Sequence, residues 1–366
     1  MDAPGYVFAG GGTGGHLYPG LAVAAALRER DRDASITFFT TQRALDRDLL
    51  AGTSYAQVEQ PVHPFTVHPL KIPGFLWAWR RSVAAAKAFL RANRTQAVLG
   101  LGGYAAGPPM VAAHALGIRT ALLNPDAIPG RANRHLARHT DLVVLQWEMS
   151  RQHFGAGTRC DVLGCPIRAQ FAQPDPAEGR RQFGLDADRP VLLVTGASQG
   201  ARTVNRVMMR VWPTFHAAHP AWQLLHLSGP ADEAEVRGAY AAAGCPAQVL
   251  SFTHDMPLAL AAADLVVARA GASTLAELTA LGKPAVLFPY PYHRDRHQHA
   301  NAGVLVAAGC AIMLEDLIDP GANEGPLRAA LEQVEGEAQR RKMGAAAEQL
   351  GSIRAADDVA RWLCER

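Results

Sequence analysis

A strand, a glycine loop and a helix occur in that order twice in this chain. Tyr6-Val7-Phe8-Ala9 reads as a short buried strand, residues 10–15 as a glycine loop, and residues 17–28 as a helix rich in Ala and Leu. The pattern restarts at Val191-Leu192-Leu193-Val194-Thr195, with the loop Gly196-Ala197-Ser198-Gln199-Gly200 and a helical run over 201–218. A strand that turns through glycines into a helix is the opening of a parallel sheet with crossover helices. Short apolar runs alternate with helical stretches behind each unit, at 36–40, 97–101, 120–123 and 142–145, then at 223–227, 249–252, 265–268 and 285–288. That alternation predicts an α/β chain of two doubly wound, Rossmann-like domains facing a cleft.

A length of 366 residues and a hydrophobic fraction of 49% suit two domains with their own cores. Gly164-Cys165-Pro166-Ile167-Arg168 marks the seam, and the Pro- and charge-rich stretch 173–181 has the composition of a linker. The expected division is 1–165, 166–348, and a terminal segment 349–366 whose helix packs on either domain. Cys160, Cys165, Cys245, Cys310 and Cys364 form no C-x-x-C pair, so neither a disulfide framework nor a zinc site is indicated. No apolar run reaches the length of a spanning helix, and the chain enters its first strand without a basic leader, which predicts a protein that stays in the cytoplasm. Residues 1–165 carry 17 Lys/Arg against 11 Asp/Glu, whereas 166–366 carry 19 against 22. The basic half is the one suited to an anionic lipid surface, although ordinary scatter over a solvated surface gives the same difference.

The first loop, Gly10-Gly11-Gly12-Thr13-Gly14-Gly15-His16, satisfies G-x-G-x-x-G and offers backbone N–H groups and a helix N-terminus to a pyrophosphate. A dinucleotide site also wants an acid after the second strand. Here Thr41-Gln42-Arg43 follows, so NAD is disfavoured and Arg43 leaves an NADP reading open. Glycines serving only a tight turn are the plainer alternative. The second loop makes the same kind of nest, with a hydroxyl at Ser198. Two such nests suit a nucleotide-sugar donor and a phosphorylated acceptor.

At this point the sequence resembles the MurG family of N-acetylglucosaminyl transferases, in the two-domain GT-B class. The resemblance covers nearly the whole chain. It is carried by 11–22 (GGTGGHLYPGLA), Gly102-Gly103-Tyr104-Ala105-Ala106-Gly107-Pro108, Gly164-Cys165-Pro166-Ile167-Arg168, Ser198-Gln199-Gly200-Ala201, 269–277 (RAGASTLAE), Pro289-Tyr290-Pro291 and His297-Gln298-His299-Ala300-Asn301-Ala302. Each motif is weak alone and the ordered set is specific.

The resemblance implies transfer of N-acetylglucosamine from UDP-N-acetylglucosamine to a polyprenyl-pyrophosphate-linked muramyl acceptor, the lipid I to lipid II step of peptidoglycan synthesis. It places the donor in the C-terminal half. Arg168 and Ser198 would meet the diphosphate, and Gln199, with Thr13, Gly14 and Gly15 of the first loop, would also bind the donor. Thr253 would contact the uracil through its backbone, Glu277 would accept from the ribose hydroxyls, Ala272, Ser273, Thr274 and Leu275 would offer backbone donors, and Gln298 with Asn301 would grip the sugar. Taken singly, Glu277, Gln298 and Asn301 are equally ordinary surface residues.

Tyr104 and Asp126 belong to the acceptor side. Where the family reads His-Glu-Gln-Asn before Pro-Gly, this chain reads Leu123-Asn124-Pro125-Asp126, so an Asp replaces the Asn associated with the acceptor. Cys165 in place of Asn and Ala197 in place of Gly are smaller departures.

His16, at the tip of the first loop, is the candidate base for an inverting displacement; a helix-capping or phosphate-contacting histidine is the alternative. Ile72, Phe75, Leu76, Trp77 and Trp79 crowd beside Arg80 and Arg81, the mixture of an interfacial membrane segment, with a buried helix bearing a basic outer face as the competing view.

The expected partners are the nucleotide sugar, the lipid-linked acceptor, an anionic membrane surface and other cell-wall synthesis proteins, with no nucleic acid. The expected place is peripheral, on the cytoplasmic face of the inner membrane. No cofactor is expected: of Asp31-Arg32-Asp33, Asp46-Arg47-Asp48 and Asp186-Ala187-Asp188, none is placed to hold a metal against the diphosphate. The rival functions are a GT-B transferase with another lipid or small-molecule acceptor, a silent UDP-sugar-binding scaffold, and an NADP oxidoreductase.

Overall fold

A computed structural model describes residues 4–64, 68, 70, 72–196, 200–292 and 295–365. The chain divides into one unit of 1–168 with 352–366 and a second of 169–351. In the first, the order is β1 (Gly5–Gly10), α1 (Gly14–Arg30), β2 (Ser35–Thr40), α2 (Ala44–Ala51), β3 (Ala56–Glu59), α3 (Ile72–Ala92), β4 (Thr95–Gly102), α4 (Gly107–Ala115), β5 (Arg119–Asn124), α5 (Arg131–Leu136), β6 (Leu142–Leu145) and β7 (Cys160–Val162). In the second it is α6 (Pro176–Gln182), β8 (Val191–Thr195), α7 (Arg202–Ala218), β9 (Gln223–Leu227), α8 (Glu233–Ala242), β10 (Gln248–Leu250), α9 (Met256–Ala262), β11 (Leu265–Ala268), α10 (Ala272–Ala280), β12 (Ala285–Leu287), α11 (His297–Ala307), β13 (Ala311–Met313), α12 (Pro320–Gln333) and α13 (Glu337–Glu348). The terminal α14 (Ala355–Cys364) returns to the first unit.

Both sheets are parallel, ordered β3-β2-β1-β4-β5-β6-β7 and β10-β9-β8-β11-β12-β13. Helices cover both faces of the first sheet. Leu17, Val23 and Leu27 of α1 lie on one side, and Ala86, Leu90, Met110 and Ala113 of α3 and α4 on the other. Strands buried on both faces have no polar side to alternate with, which is why β1 and β8 read as unbroken apolar runs. Each sheet reverses its strand order once, between β1 and β4 and between β8 and β11. In open sheets of this kind ligands bind beyond the carboxyl ends of the strands at that reversal. The two glycine loops follow β1 and β8.

The units divide between Arg168 and Ala169, and α14 settles on the first. Val359, Trp362 and Leu363 are buried in the core that α1 covers, each burial contributing about 2 kcal/mol. The Ser352 hydroxyl donates to the Leu163 carbonyl at 2.7 Å, and the Arg119 guanidinium lies 3.9 Å over the Trp362 ring. Of the segment 173–181, expected as a linker, residues 176–181 lie in α6. The Asp175 carboxylate caps the helix by accepting from Ala177 N at 2.9 Å, and Pro176 occupies the first helical turn. Asp and Pro suit a loop and a helix start equally, so composition misread it.

Candidate functional site

In the first unit the loop after β1 closes around Asp46. This residue of α2 is fully buried, and its carboxylate accepts from Gly12 N at 2.7 and 3.0 Å, from Thr41 N at 3.1 Å and from the Thr41 hydroxyl at 2.5 Å. Gly12 has φ +87°, a left-handed conformation that favours glycine. The Arg43 guanidinium donates to the Gly12 carbonyl at 2.9 Å. The expectation of an open anion nest is therefore corrected at Gly12, whose N–H is already taken by an internal carboxylate. The NADP reading that rested on Arg43 loses its basis as well, because a carboxylate and a glycine carbonyl occupy that end of the loop.

His16, in the first turn of α1, is half-buried. Its Nδ1 lies 3.2 Å from the Gly11 carbonyl and 3.1 Å from the Thr13 hydroxyl. A carbonyl only accepts, so Nδ1 carries the proton and the Nε2 lone pair is left for other work. Gly102 and Gly103, at φ +100° and +73°, let β4 end against this ring; a Cβ at either position would stand 3.2 Å from an imidazole carbon. Burial pushes the His16 proton affinity below the ordinary histidine value, while the Gly11 carbonyl, Asp126 and Asp46 pull it back. The result is a neutral imidazole near pH 7 with an open Nε2.

The loop that carries Asp126 is pinned through its backbone. The Asp126 carbonyl accepts from Asn124 Nδ2 at 2.9 Å and from the Ser150 hydroxyl at 3.0 Å, and Asn133 Nδ2 donates to Asn124 Oδ1 at 3.1 Å. The Asp126 side chain is left half-buried, with its charge felt by His16. Tyr104 follows Gly103 and is also half-buried. Thr13, Gly14 and Gly15 open α1, and a small recess beside Gly15 is walled by Asn124, Pro125 and Cys165. Arg168 ends this unit with its guanidinium 5.3 Å over the Tyr18 ring.

Of the residues expected at a membrane, Ile72, Leu76, Trp77, Arg80 and Arg81 are exposed, Trp77 by 61% and with Arg81 5.2 Å over its ring. Trp79 faces elsewhere: its indole packs on Gly107 at the start of α4, where a Cβ would overlap it, and Phe75 stacks on it at 6.1 Å. Among the described residues no helix is long and apolar enough to cross a membrane.

In the second unit Ser198 and Gln199 lie outside the described residues. Gly200, at φ +76°, presses on the Ser228 carbonyl so closely that a Cβ would overlap it. Beneath that contact runs a buried polar chain absent from the sequence expectations. Asn205 Nδ2 donates to the Ser228 carbonyl at 2.7 Å and to Asp232 at 2.9 Å, so Asn205 Oδ1 accepts from His226 Nε2 at 3.0 Å. His226 Nδ1 then accepts from the Tyr240 hydroxyl at 2.9 Å. Burial drives His226 down to about 3 and the Tyr240 hydroxyl far up, so both stay neutral. A lone histidine inside the apolar run Gln223–Leu227 was the available signal.

The remaining expected donor residues gather at the carboxyl edge of the second sheet. Thr253 follows β10 and accepts from Asp255 N at 3.0 Å through its hydroxyl. Ala272, Ser273, Thr274 and buried Leu275 form the first turn of α10 after β11, and half-buried Glu277 lies one turn on. Gln298 accepts from Tyr290 N at 2.9 Å, fixing the turn after β12. Asn301 is 0% exposed and donates to the Ala270 carbonyl at 3.4 Å, so it supports the β11–α10 loop instead of presenting its amide to a sugar. Arg269 braces the same edge, pairing with the buried Asp316 at 2.7 Å and donating to the Phe288 carbonyl at 3.1 Å.

Residues 6–144 match the family model of the glycosyltransferase family 28 N-terminal domain and residues 191–358 that of its C-terminal domain. A protein of Syntrophus aciditrophicus (strain SB) is 37% identical over 85% of this chain and 84% of its own length. One from Anaeromyxobacter sp. (strain Fw109-5) is 36% identical over 97% and 91%. Both are named UDP-N-acetylglucosamine--N-acetylmuramyl-(pentapeptide) pyrophosphoryl-undecaprenol N-acetylglucosamine transferase. The crystal structure of Acinetobacter baumannii MurG shares the fold with a TM-score of 0.79 at 24% identity, covering 98% of this chain and 99% of that one. Through both of its domains, and through relatives similar along most of its length, this chain belongs to glycosyltransferase family 28, among the MurG-type N-acetylglucosaminyl transferases.

Proposed function

We propose that this chain transfers N-acetylglucosamine from UDP-N-acetylglucosamine to the muramyl sugar of undecaprenyl-pyrophosphoryl-linked N-acetylmuramyl-pentapeptide, converting lipid I to lipid II with inversion. The observation that carries this reading is that relatives named for the transfer are 32–38% identical to the chain over 85% or more of it.

In the reaction, His16 Nε2 takes the proton of the acceptor hydroxyl as that oxygen bonds to the anomeric carbon. The bond from that carbon to the diphosphate breaks, and UDP leaves with the electron pair. The growing charge is met by Arg168, by the helix start at Ala272–Thr274 and by the loop of Ser198 and Gln199, without a metal. Thr13, Gly14 and Gly15 add the N-terminus of α1. Glu277 accepts from the ribose, Thr253 borders the uracil and Gln298 the sugar. Tyr104 and Asp126 belong to the acceptor.

The exposed Ile72, Leu76 and Trp77, with Arg80 and Arg81, suit peripheral attachment to the cytoplasmic face of the inner membrane. Between Glu59 and Asp141 the chain has ten Lys/Arg and a single acid, Asp126, which favours an anionic surface.

Purified protein given labelled UDP-N-acetylglucosamine and a panel of polyprenyl-pyrophosphoryl acceptors tests the assignment. Label is expected on the muramyl lipid. Turnover only with another acceptor would support the alternative that Asp126 favours by replacing the family's Asn. Donor binding with no turnover on any acceptor would leave a silent scaffold.

A further inference from the structure

The Gly11 carbonyl and the Gly12 N–H are the two ends of one peptide group. His16 Nδ1 donates to the first at 3.2 Å, and the Asp46 carboxylate accepts from the second at 2.7 Å. A peptide group is planar and conjugated, so an anion bound at its N–H makes the oxygen at the other end a stronger acceptor. Asp46 cannot drift from this position, because Thr41 holds it with a backbone N–H and a hydroxyl, and Gly11 has no Cβ to keep it away.

We propose that Asp46 is a positioning residue for His16, acting through the single peptide group that joins Gly11 to Gly12. The carboxylate orients the peptide, the peptide holds Nδ1 protonated, and Nε2 is thereby kept as the basic nitrogen. The arrangement does the work of a carboxylate–imidazole pair with a peptide group inserted between the partners. It rests on the reading of His16 as the base.

The test is the pH profile of kcat and KM for Asp46→Asn with a soluble acceptor analogue. The amide is neutral, and its single accepting oxygen cannot replace all the contacts that the two carboxylate oxygens make with Gly12 N, Thr41 N and the Thr41 hydroxyl. The expected result is a fall in kcat of roughly ten- to a hundred-fold with KM for UDP-N-acetylglucosamine nearly unchanged. The acid limb should move to lower pH, because a negative charge that favours His16 protonation is gone; Asp126 and Arg43, also charged and near the loop, are unchanged in the variant. Thr41→Val removes one donor and keeps the charge, so it should lower kcat less and leave the limb in place. A folded Asp46→Asn protein with parental kcat, or one whose limb does not move, overturns the proposal. If Asp46→Asn does not fold, parental kcat in Thr41→Val overturns it instead. Parental turnover in His16→Gln would remove the base reading itself, an outcome distinct from either of these.

Discussion

Asp46 and His16 hold opposite ends of one peptide group, the carboxylate at Gly12 N and the imidazole at Gly11 O. The loop that resembles a phosphate nest in sequence is thus partly filled from within. What it presents is the Nε2 edge of a neutral imidazole.

His16→Ala should lower kcat by about 10²–10⁴ while donor KM changes little, since a base acts on the transition state and not on donor binding. Because burial lowers its proton affinity, the acid limb of kcat/KM should lie below the ordinary histidine value of 6.5. Rates at a series of pH values decide it; a limb above 6.5 would assign the titration to another group.

Glu277→Ala should weaken donor binding by about 1–3 kcal/mol through loss of a charged acceptor for the ribose. Titration of the protein with UDP reads this directly. An unchanged dissociation constant would take Glu277 out of the site and leave it a half-buried helix residue.

Replacing Ile72, Leu76 and Trp77 together by Ser should reduce co-sedimentation with anionic vesicles and leave turnover of a soluble acceptor analogue intact. Trp79→Ser should do something different. Its indole fills the space against Gly107, so the loss should appear as lowered thermal stability, on the order of 3 kcal/mol. Equal vesicle binding by the triple variant and the parent would refute the membrane reading.

The second unit should lose stability on acidification. Folded His226 resists protonation down to about 3, whereas the unfolded chain takes up that proton below its ordinary 6.5. The folded state is therefore penalised progressively as pH falls through that window, by up to about 1.4 kcal/mol per pH unit. Urea midpoints measured across the window should fall more steeply for the parent than for His226→Gln, which lacks the titrating group.

Turnover of a soluble acceptor should persist in excess EDTA. Asp46 is committed to Gly12 and Thr41, Asp31 and Asp33 sit in the turn before β2, and Asp186 accepts from Asp188 N ahead of β8. Within its own unit Asp186 precedes β8, at the end of the strand opposite the loop that follows it. Complete loss of turnover, restored by Mg²⁺ or Mn²⁺, would require a metal-bound diphosphate.

Two parallel sheets were legible from the residues alone, because strands covered on both faces must be written as continuous apolar runs and their glycine turns have few substitutes. Runs such as 142–145, 191–195, 223–227 and 265–268 coincide with β6, β8, β9 and β11. The sequence also ordered the motifs that mark the family. What it could not contain was the partner of those polar groups whose contacts lie far away along the chain. Asp46 meets Gly12 across 34 residues, Arg269 meets Asp316 across 47, and α14 meets α1 across most of the chain. Asn301 and Trp79 read as ligand-facing and lipid-facing by type, yet packing turned one under a loop and the other onto Gly107. Periodicity records which face of an element is apolar, whereas the destination of a single side chain is set by neighbours that only the folded chain brings together.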